Sequence, residues 1–453
     1  MSRFARLSAA DRGNLRMERP EAPAHIAGLC VVEAGPLLDA SGALDLATIR
    51  RRLDRRLARA PELRRVVHRS PPLCGAPLWV DDPAFSIDRH VRAVRIEAPG
   101  DERSLLEAAE RLLRPTLDRS RPLWELWFLT GLQDGRVGAL FKIHHAVADG
   151  LAAIALIASL LDAEPDAADP PPVAWRPAPP PPAPALLADS TRGKAASVAA
   201  VLGHPVRVAR GVAAAVADTA SAVHQLSAAP RTSLNRPTRG ARRFRAVHLD
   251  LERARAVAHA HGAKVNDVLL AVVTGGARAL LTGRGEPVRG VELQVSVPAA
   301  LRRDSARQLG NAVGAMVVGL PVGEADPVRS LETIAAASRA AKAAQHPAYV
   351  EGLTACLAAT GLLVPLIRRQ RMINLFVTNV PGPPGALFLL GARIEEILPI
   401  TLPAGNVTVI IAALSYRGRL DVVVDAVGSG DIDVLVAGMY EAWAALAPGA
   451  QDA

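Results

Sequence analysis

The segment His144-His145-Ala146-Val147-Ala148-Asp149-Gly150 concentrates more chemistry than any other stretch of this 453-residue chain. It reads HHxxxDG. Histidine has an ordinary pKa near neutrality, so it can take a proton and later return it. A hydroxyl attacking a thioester needs that service, because an alcohol is a weak nucleophile until a base removes its proton. His145 is the candidate general base. Side chains at a strand end alternate between faces, so one histidine enters a cleft and the other, His144, supports the backbone or bonds inward. Asp149 has two readings. It could orient an imidazole, as in a triad, or form a buried ion pair with an arginine that stiffens the junction. The second is preferred, because an acid entering a helix does not easily reach back to His145. Gly150 permits close backbone approach.

The flanking pattern places this motif. Trp124 to Thr130 and Val137 to Ile143 read as consecutive strands, with Asp134-Gly135 as their hairpin turn. The second strand runs into His144, and Asp149 to Leu161 reads as a helix. The motif therefore falls at a strand-to-helix junction, where side chains face a cleft near helix N-terminal amides.

Three regions organise the rest. Residues 1–162 read as mixed α/β, with a buried strand over Ile26 to Glu33 and helical faces at Leu46, Ile49, Leu53 and Leu57 and at Leu105, Leu106, Ala109, Leu112 and Leu113. Residues 163–241 hold a linker. Its prolines from Asp169 to Pro184 predict extended chain, and Leu187 to Leu226 predicts one or two basic amphipathic helices broken near Gly203 and Pro205. Such a helix either packs on the protein surface or touches an anionic membrane or lipid droplet. Residues 242–453 return to α/β. Strands are expected over Phe244 to Leu251, Leu293 to Val297, Ala315 to Leu320, Asn374 to Thr378, Val407 to Leu414 and Leu420 to Val424. Helices are expected over Val265 to Leu281, Pro327 to Gln345 and Ile432 to Leu446. Two comparable α/β halves suggest a pseudo-symmetric pair.

Composition narrows the function classes. The net charge is +9, and only four of the 53 basic residues are lysine. That balance suits an anionic partner: a phosphorylated co-substrate or an acidic membrane surface. Aromatics at 3%, with no zinc-finger spacing and no aromatic RNA-binding motif, argue against nucleic acid. Apolar runs such as Leu151 to Leu161 and Asn406 to Leu414 fall short of the roughly 20 residues a membrane span requires. The first residues lead into no long apolar segment, so a cytoplasmic protein, peripheral at most, is expected. Cys30, Cys74 and Cys356 are scattered among apolar neighbours and read as small buried hydrophobes. His259 and His261 lack a matching ligand set, so no metal site is expected. Neither a GxSxG elbow nor a P-loop occurs. Acyl transfer without a covalent enzyme intermediate is the consistent picture.

Further motifs carry a resemblance. Pro122-Leu123-Trp124, Asn266-Asp267, Val297 to Arg302 followed by Leu309-Gly310-Asn311, and Thr378-Asn379-Val380-Pro381-Gly382-Pro383 accompany HHxxxDG in order. Near the N-terminus stand Met17-Glu18-Arg19-Pro20 and Pro23-Ala24-His25-Ile26. Over nearly its whole length the chain resembles the bacterial wax ester synthase/diacylglycerol acyltransferase family, part of the wider HHxxxDG group of CoA-dependent acyltransferases. Thr378 stands where serine is common, and Leu15 and Arg16 stand where bulkier apolar residues are frequent. The resemblance implies two chloramphenicol-acetyltransferase-like domains forming a pseudo-symmetric sandwich, with the histidine motif midway along an interdomain tunnel. It implies acyl-CoA as co-substrate, no other cofactor, and a lipid hydroxyl as acceptor: diacylglycerol, a long-chain alcohol or both. His145 would be the base. Asn266 and Asp267 would support the site, and Pro122 to Trp124 would shape the lipid channel or core. Thr378 or Asn379 is a candidate oxyanion donor. The alternatives are a transferase for another hydroxyl, and a non-catalytic lipid-binding or droplet protein.

Overall fold

A computed structural model describes residues 4–20, 22–148, 150–203, 229–238, 240–300, 313–343, 369–401, 405–428 and 430–448. In chain order, the first half supplies α1 (Ala9–Met17), β1 (His25–Glu33), α2 (Leu46–Arg56), β2 (Arg65–His68), β3 (Leu78–Asp81), β4 (Val91–Arg95), α3 (Glu102–Leu113), β5 (Trp124–Thr130), β6 (Arg136–His144), α4 (Gly150–Ala158) and α5 (Ala183–Gly203). The second half supplies β7 (Arg242–Asp250), α6 (Leu251–Ala260), α7 (Val265–Gly283), β8 (Leu293–Ala300), β9 (Val313–Leu320), α8 (Pro327–Ala343), β10 (Leu375–Pro381), β11 (Phe388–Leu389), β12 (Ala392–Ile400), β13 (Val409–Tyr416), β14 (Arg419–Val427) and α9 (Ile432–Leu446). They build two six-stranded sheets, in the orders β11-β12-β1-β6-β5-β4 and β7-β14-β13-β10-β8-β9, and β2 and β3 pair as a separate ribbon.

The period of two along β6 decides where the histidines go. Val137, Ala139, Phe141 and Ile143 pack on one face with Ile49, Leu53 and Leu57 and with Ala153 and Leu156 of α4. Gly138, Leu140, Lys142 and His144 therefore share the opposite face. There Leu140 meets Leu105, Leu106 and Ala109 of α3, together with Phe244, Ala246 and Val423 of the second sheet. This small core joins the two halves. Gly138 allows α3 to sit close: a Cβ there would stand 2.8 Å from Leu105 Cδ1. The hairpin turn is as expected, with Asp134 at φ 59° and Gly135 at φ 62°.

The layers cross the boundary between the chain halves. β12 pairs antiparallel with β1, through matches such as Ala27 with Ile400 and Cys30 with Ile397. A strand from residues 392–400 thus completes the sheet that carries His144. The sequence reading names no strand there. Its residues alternate strictly between buried and half-buried, but the Glu395-Glu396 pair at its centre masks the apolar rhythm.

Two other expectations change. By length and composition α7 is long and apolar enough to cross a membrane, unlike the shorter runs singled out in the sequence. Most of it is buried in the second core, from Val268 to Leu281. The basic segment begins its helix at Ala183, and its continuation over 204–228 lies outside the described residues. The proline-rich chain before it lies on the first half: Asp169 meets Arg52 and Arg56, and Trp175 Nε1 donates to the Asp82 carbonyl. Cys30 and Cys74 are buried, and Cys356 lies outside the described residues.

A polar clamp also joins the halves. His248 Nε2 is 2.6 Å from Glu102, and His248 Nδ1 is 2.8 Å from Asp421. Arg419 Nη2 lies 2.9 Å from Glu396 and 2.7 Å from His248 Nδ1. Glu102, His248 and Glu396 converge as metal ligands could. They come from three separate elements, so no sequence spacing reveals them. Here three carboxylates (Glu102, Glu396 and Asp421) face two cations, and Arg419 already supplies countercharge. Burial opposes protonation of His248, but the bonds to Asp421 and Glu102 overcome it and raise its pKa to about 10. A raised pKa stabilises the fold fully below the unfolded histidine value and loses that contribution as pH climbs toward the folded value. His248→Gln is therefore expected to cost on the order of 2 kcal/mol near pH 6, and progressively less toward pH 10, in urea melts at each pH.

Candidate active site

β6 ends at His144, residues 145–147 turn, and α4 starts at Gly150. The strand-to-helix junction stands where the sequence puts it. Backbone bonds hold it from both sides. The His144 N–H donates to the Leu123 carbonyl at 3.0 Å, the His145 N–H to the Ala24 carbonyl at 2.9 Å, and the Val147 N–H closes the turn onto the His144 carbonyl.

The two histidines have unlike surroundings. His144 is fully buried, and its Nδ1 accepts the Ala146 N–H at 2.9 Å. Its ring braces the turn that follows it. Its Nε2 lies 3.4 Å from Glu18 Oε1, within ion-pair range though outside hydrogen-bond alignment. His145 is half-buried. The Asn14 side-chain amide approaches its Nδ1 at 3.1 Å. Asp149 lies outside the described residues.

Glu18 is the hub. Its side chain is 2% exposed and follows α1 directly. One carboxylate oxygen accepts the Ala24 N–H and sits 3.2 Å from His25 Nε2; the other accepts from Arg119 at 2.9 Å. His25 pairs in register with His144 across β1 and β6, and the two rings meet edge to face at 6.1 Å. Burial opposes ionisation of Glu18, but the close approach of His144 and His25 and the bond from Arg119 outweigh it and hold the carboxyl far below the usual range. His25 is shifted down, first by its own burial and against the pull of Glu18. Lys142, on the same face of β6, donates to the Leu112 and Pro115 carbonyls and so caps the end of α3. Burial brings its pKa down to about 8.

Asn14, Glu18, His25 and Arg119 are absent from the sequence-derived site. Met17 to Pro20 and Pro23 to Ile26 mark the region, but a lone glutamate in a short N-terminal segment reads as a surface acid. Only the β1–β6 register shows otherwise.

The other expected residues divide. Leu123 and Trp124 are core: Trp124 is 2% exposed, stacks on His90 and Phe141, and donates Nε1 to the Leu63 carbonyl. Pro122 is buried beside them. Their direct service to the site is the Leu123 carbonyl that receives His144. In the Asn266-Asp267 pair, Asp267 is buried and accepts the Lys264 N–H at 2.9 Å, which closes the start of α7. Asn266 is half-buried beside it. Thr378 and Asn379 are half-buried near the end of β10, a central strand of the second sheet. Among the described residues, no hydrogen bond ties either of them to the histidines. A cavity of about 280 Å³ lies between the halves, lined by Pro20 and Pro23 from the Glu18 loop, Glu110 and Arg114 from the α3 end, and Gly240 to Arg242.

A carboxyl held below its ordinary range contributes stability at neutral pH that drains away as pH falls through the acid range. Glu18→Gln is expected to lower stability by about 3 kcal/mol at pH 7, because two buried imidazoles and Arg119 lose their countercharge. The deficit should shrink as pH falls below about 4, in denaturant titrations at both pH values.

Comparison with known proteins places this geometry. The family model for the wax ester synthase/diacylglycerol acyltransferase catalytic domain matches residues 7–269, and the model for the C-terminal domain of the same family matches residues 309–446. A Mycobacterium tuberculosis protein named a probable diacylglycerol O-acyltransferase is 31% identical over 93% of this chain and 92% of its own length. Among solved structures, the wax ester synthase/diacylglycerol acyltransferase from Marinobacter aquaeolei VT8 superposes with a TM-score of 0.71 at 23% identity, over 98% of each chain. The first condensation domain of the calcium-dependent antibiotic synthetase superposes at 0.61 with 18% identity, over 100% of this chain and 98% of its own. The fold is therefore the two-domain α/β architecture shared with these proteins. With both of its family models matched across its length, the chain belongs to the wax ester synthase/diacylglycerol acyltransferase family and is an acyltransferase.

Proposed function

We propose that the protein esterifies a lipid hydroxyl, on diacylglycerol, a long-chain alcohol or both, with the acyl group of acyl-CoA. The observation that carries this reading is the division of labour at His144-His145. His144 is locked inward by Ala146 and Glu18, while half-buried His145 is held by Asn14 at one ring nitrogen. In the proposed path His145 takes the hydroxyl proton as oxygen attacks the thioester carbonyl. The imidazolium then protonates the departing CoA thiolate, so no proton is lost and no cofactor beyond the co-substrate is used. Thr378 or Asn379 donates to the oxyanion from the second sheet. Asp149 anchors the junction, with Gly150 behind it, and Asn266 and Asp267 order the facing helix start. On this reading the chain divides into domains over residues 1–162 and 242–453, joined by 163–241, with residues 388–400 lent to the first. The cavity beside Pro20 and Pro23 is one end of the passage between them, and its arginines suit CoA phosphates. His145→Ala is expected to reduce CoA release at least about 100-fold with palmitoyl-CoA and a panel of diacylglycerols and alcohols. Wild-type turnover in that variant would sink the mechanism, and turnover with none of the panel would point to another acceptor.

Peripheral contact with an anionic lipid surface is supported by α5. Its first half is tied down by buried Leu186 and by the ion pair of Asp189 with Arg6. Farther along, Arg192 and Lys194 are exposed, and Leu202 is 75% exposed. Binding to phosphatidylglycerol vesicles should fall when salt is raised from about 0.05 to 0.5 M, whereas neutral vesicles should recover little protein. Equal recovery on both kinds of vesicle would count against this contact.

A further inference from the structure

Asn14 and Glu18 stand four residues apart at the end of α1, and each addresses one histidine of the pair. The helix is fixed at its start by a reciprocal Ser8–Asp11 cap, and at its end the Glu18 N–H donates to the Asn14 carbonyl. Glu18 then faces His144, whereas Asn14 Nδ2 reaches His145 Nδ1 at 3.1 Å and the carbonyl oxygen of His145 at 3.4 Å. A single helix end thus sets the ring of one histidine by charge and the ring of the other by a neutral amide.

We propose that Asn14 is a positioning residue for His145, one that holds the ring and selects its tautomer through Nδ1. The proposal rests on His145 as the base. An amide N–H donated to Nδ1 leaves the proton of the neutral ring on Nε2. That is a resting arrangement, because Nε2 then has no lone pair for a substrate hydroxyl. The two ends of an amide have nearly the same shape. Half a turn of the side chain places Oδ1 where Nδ2 stood, and Oδ1 accepts an N–H from Nδ1. The half-buried ring gives up its Nε2 proton to solvent and takes one back at Nδ1, which bonds to Oδ1, and Nε2 is then ready to receive the substrate proton. During transfer Nε2 takes the hydroxyl proton and returns it to the thiolate, while Nδ1–H stays bonded to Oδ1 throughout. A carboxylate could serve only the second arrangement, and it would add a charge. The amide serves both and leaves the ring unshifted by charge from that side.

Among the described residues, the charged and titratable groups shown in this corner are Glu18 at the end of α1, His25 on β1, His144 on β6 and Arg119 beyond α3. Lys142 stands one step along the same face of β6, and Asp149 lies outside the described residues. None of them changes in the test.

The experiment uses the full chain labelled with 15N-histidine. The His145 ring signals are identified by their loss in His145→Gln. Ring titrations and pH profiles of kcat/KM are compared for wild type, Asn14→Asp and Asn14→Ala. Asn14→Asp should raise the His145 titration midpoint and move the acid limb of the profile up by about one pH unit, because a carboxylate beside the ring favours its charged form. Asn14→Ala should shift the ring nitrogens toward a mixture of tautomers and lower kcat about tenfold, with KM changed less than about twofold. Ring titration and nitrogen shifts unchanged in both variants would overturn the assignment. So would a loss of turnover in Asn14→Ala with an unmoved titration in Asn14→Asp, since a merely structural residue gives that result. Failure of the base reading is separate: it shows as wild-type turnover in His145→Ala, whatever the Asn14 variants do to the ring.

Discussion

A carboxylate taken out of water demands partners, and the burial of Glu18 between β1, β6 and the end of α1 sets what its neighbours must be. His25 and His144 cannot both turn toward it unless β1 and β6 pair in the one register that sets them opposite each other. Arg119 cannot reach it unless the segment after α3 folds back toward α1. Once those conditions hold, His144 is turned inward between the Ala146 N–H and Glu18, and half-buried His145 is the more accessible of the pair. The asymmetry of the pair follows from the alternation of a strand together with one buried charge.

Lys142 and Gly138 extend the same logic along β6. Gly138 has no side chain, so α3 can lie against the strand. Lys142 then crosses to the C-terminal carbonyls of that helix, where a cation is favoured. The face of β6 that carries the histidine therefore also fixes α3, and α3 is the helix that meets the second sheet through Leu105, Phe244 and Val423. The histidine strand and the packing between the halves are one construction.

Much of this was legible in the sequence. The hairpin from Trp124 through His144 shows in its alternation and in Asp134-Gly135, the helix from Ile432 to Leu446 shows in its period, and HHxxxDG shows in its own residues. Trp124 was open to either a channel or a core reading, and the stack on His90 and Phe141 places it in the core. What stayed hidden depends on contacts distant in sequence. Glu18 and Asn14 lie more than a hundred residues from His144 and His145, and nothing local sets them apart from surface polar residues. β12 was hidden for another reason: Glu396 at its centre belongs to a clamp whose other members come from α3, β7 and β14, so its polarity makes sense only after the halves have met.

That strand has a consequence for the order in which the molecule can be made. On a ribosome, β1, β6, β5 and β4 emerge long before residues 392–400. Until then the strand bearing His25 presents a free edge, with unpaired amides and carbonyls along its length. The nascent first half is thus an unfinished sheet that invites foreign pairing, and a chaperone that covers edges has its natural target there. The histidine corner becomes permanent only when the last quarter of the chain closes over it. A chain that stops before residue 392 leaves that edge of β1 unpaired.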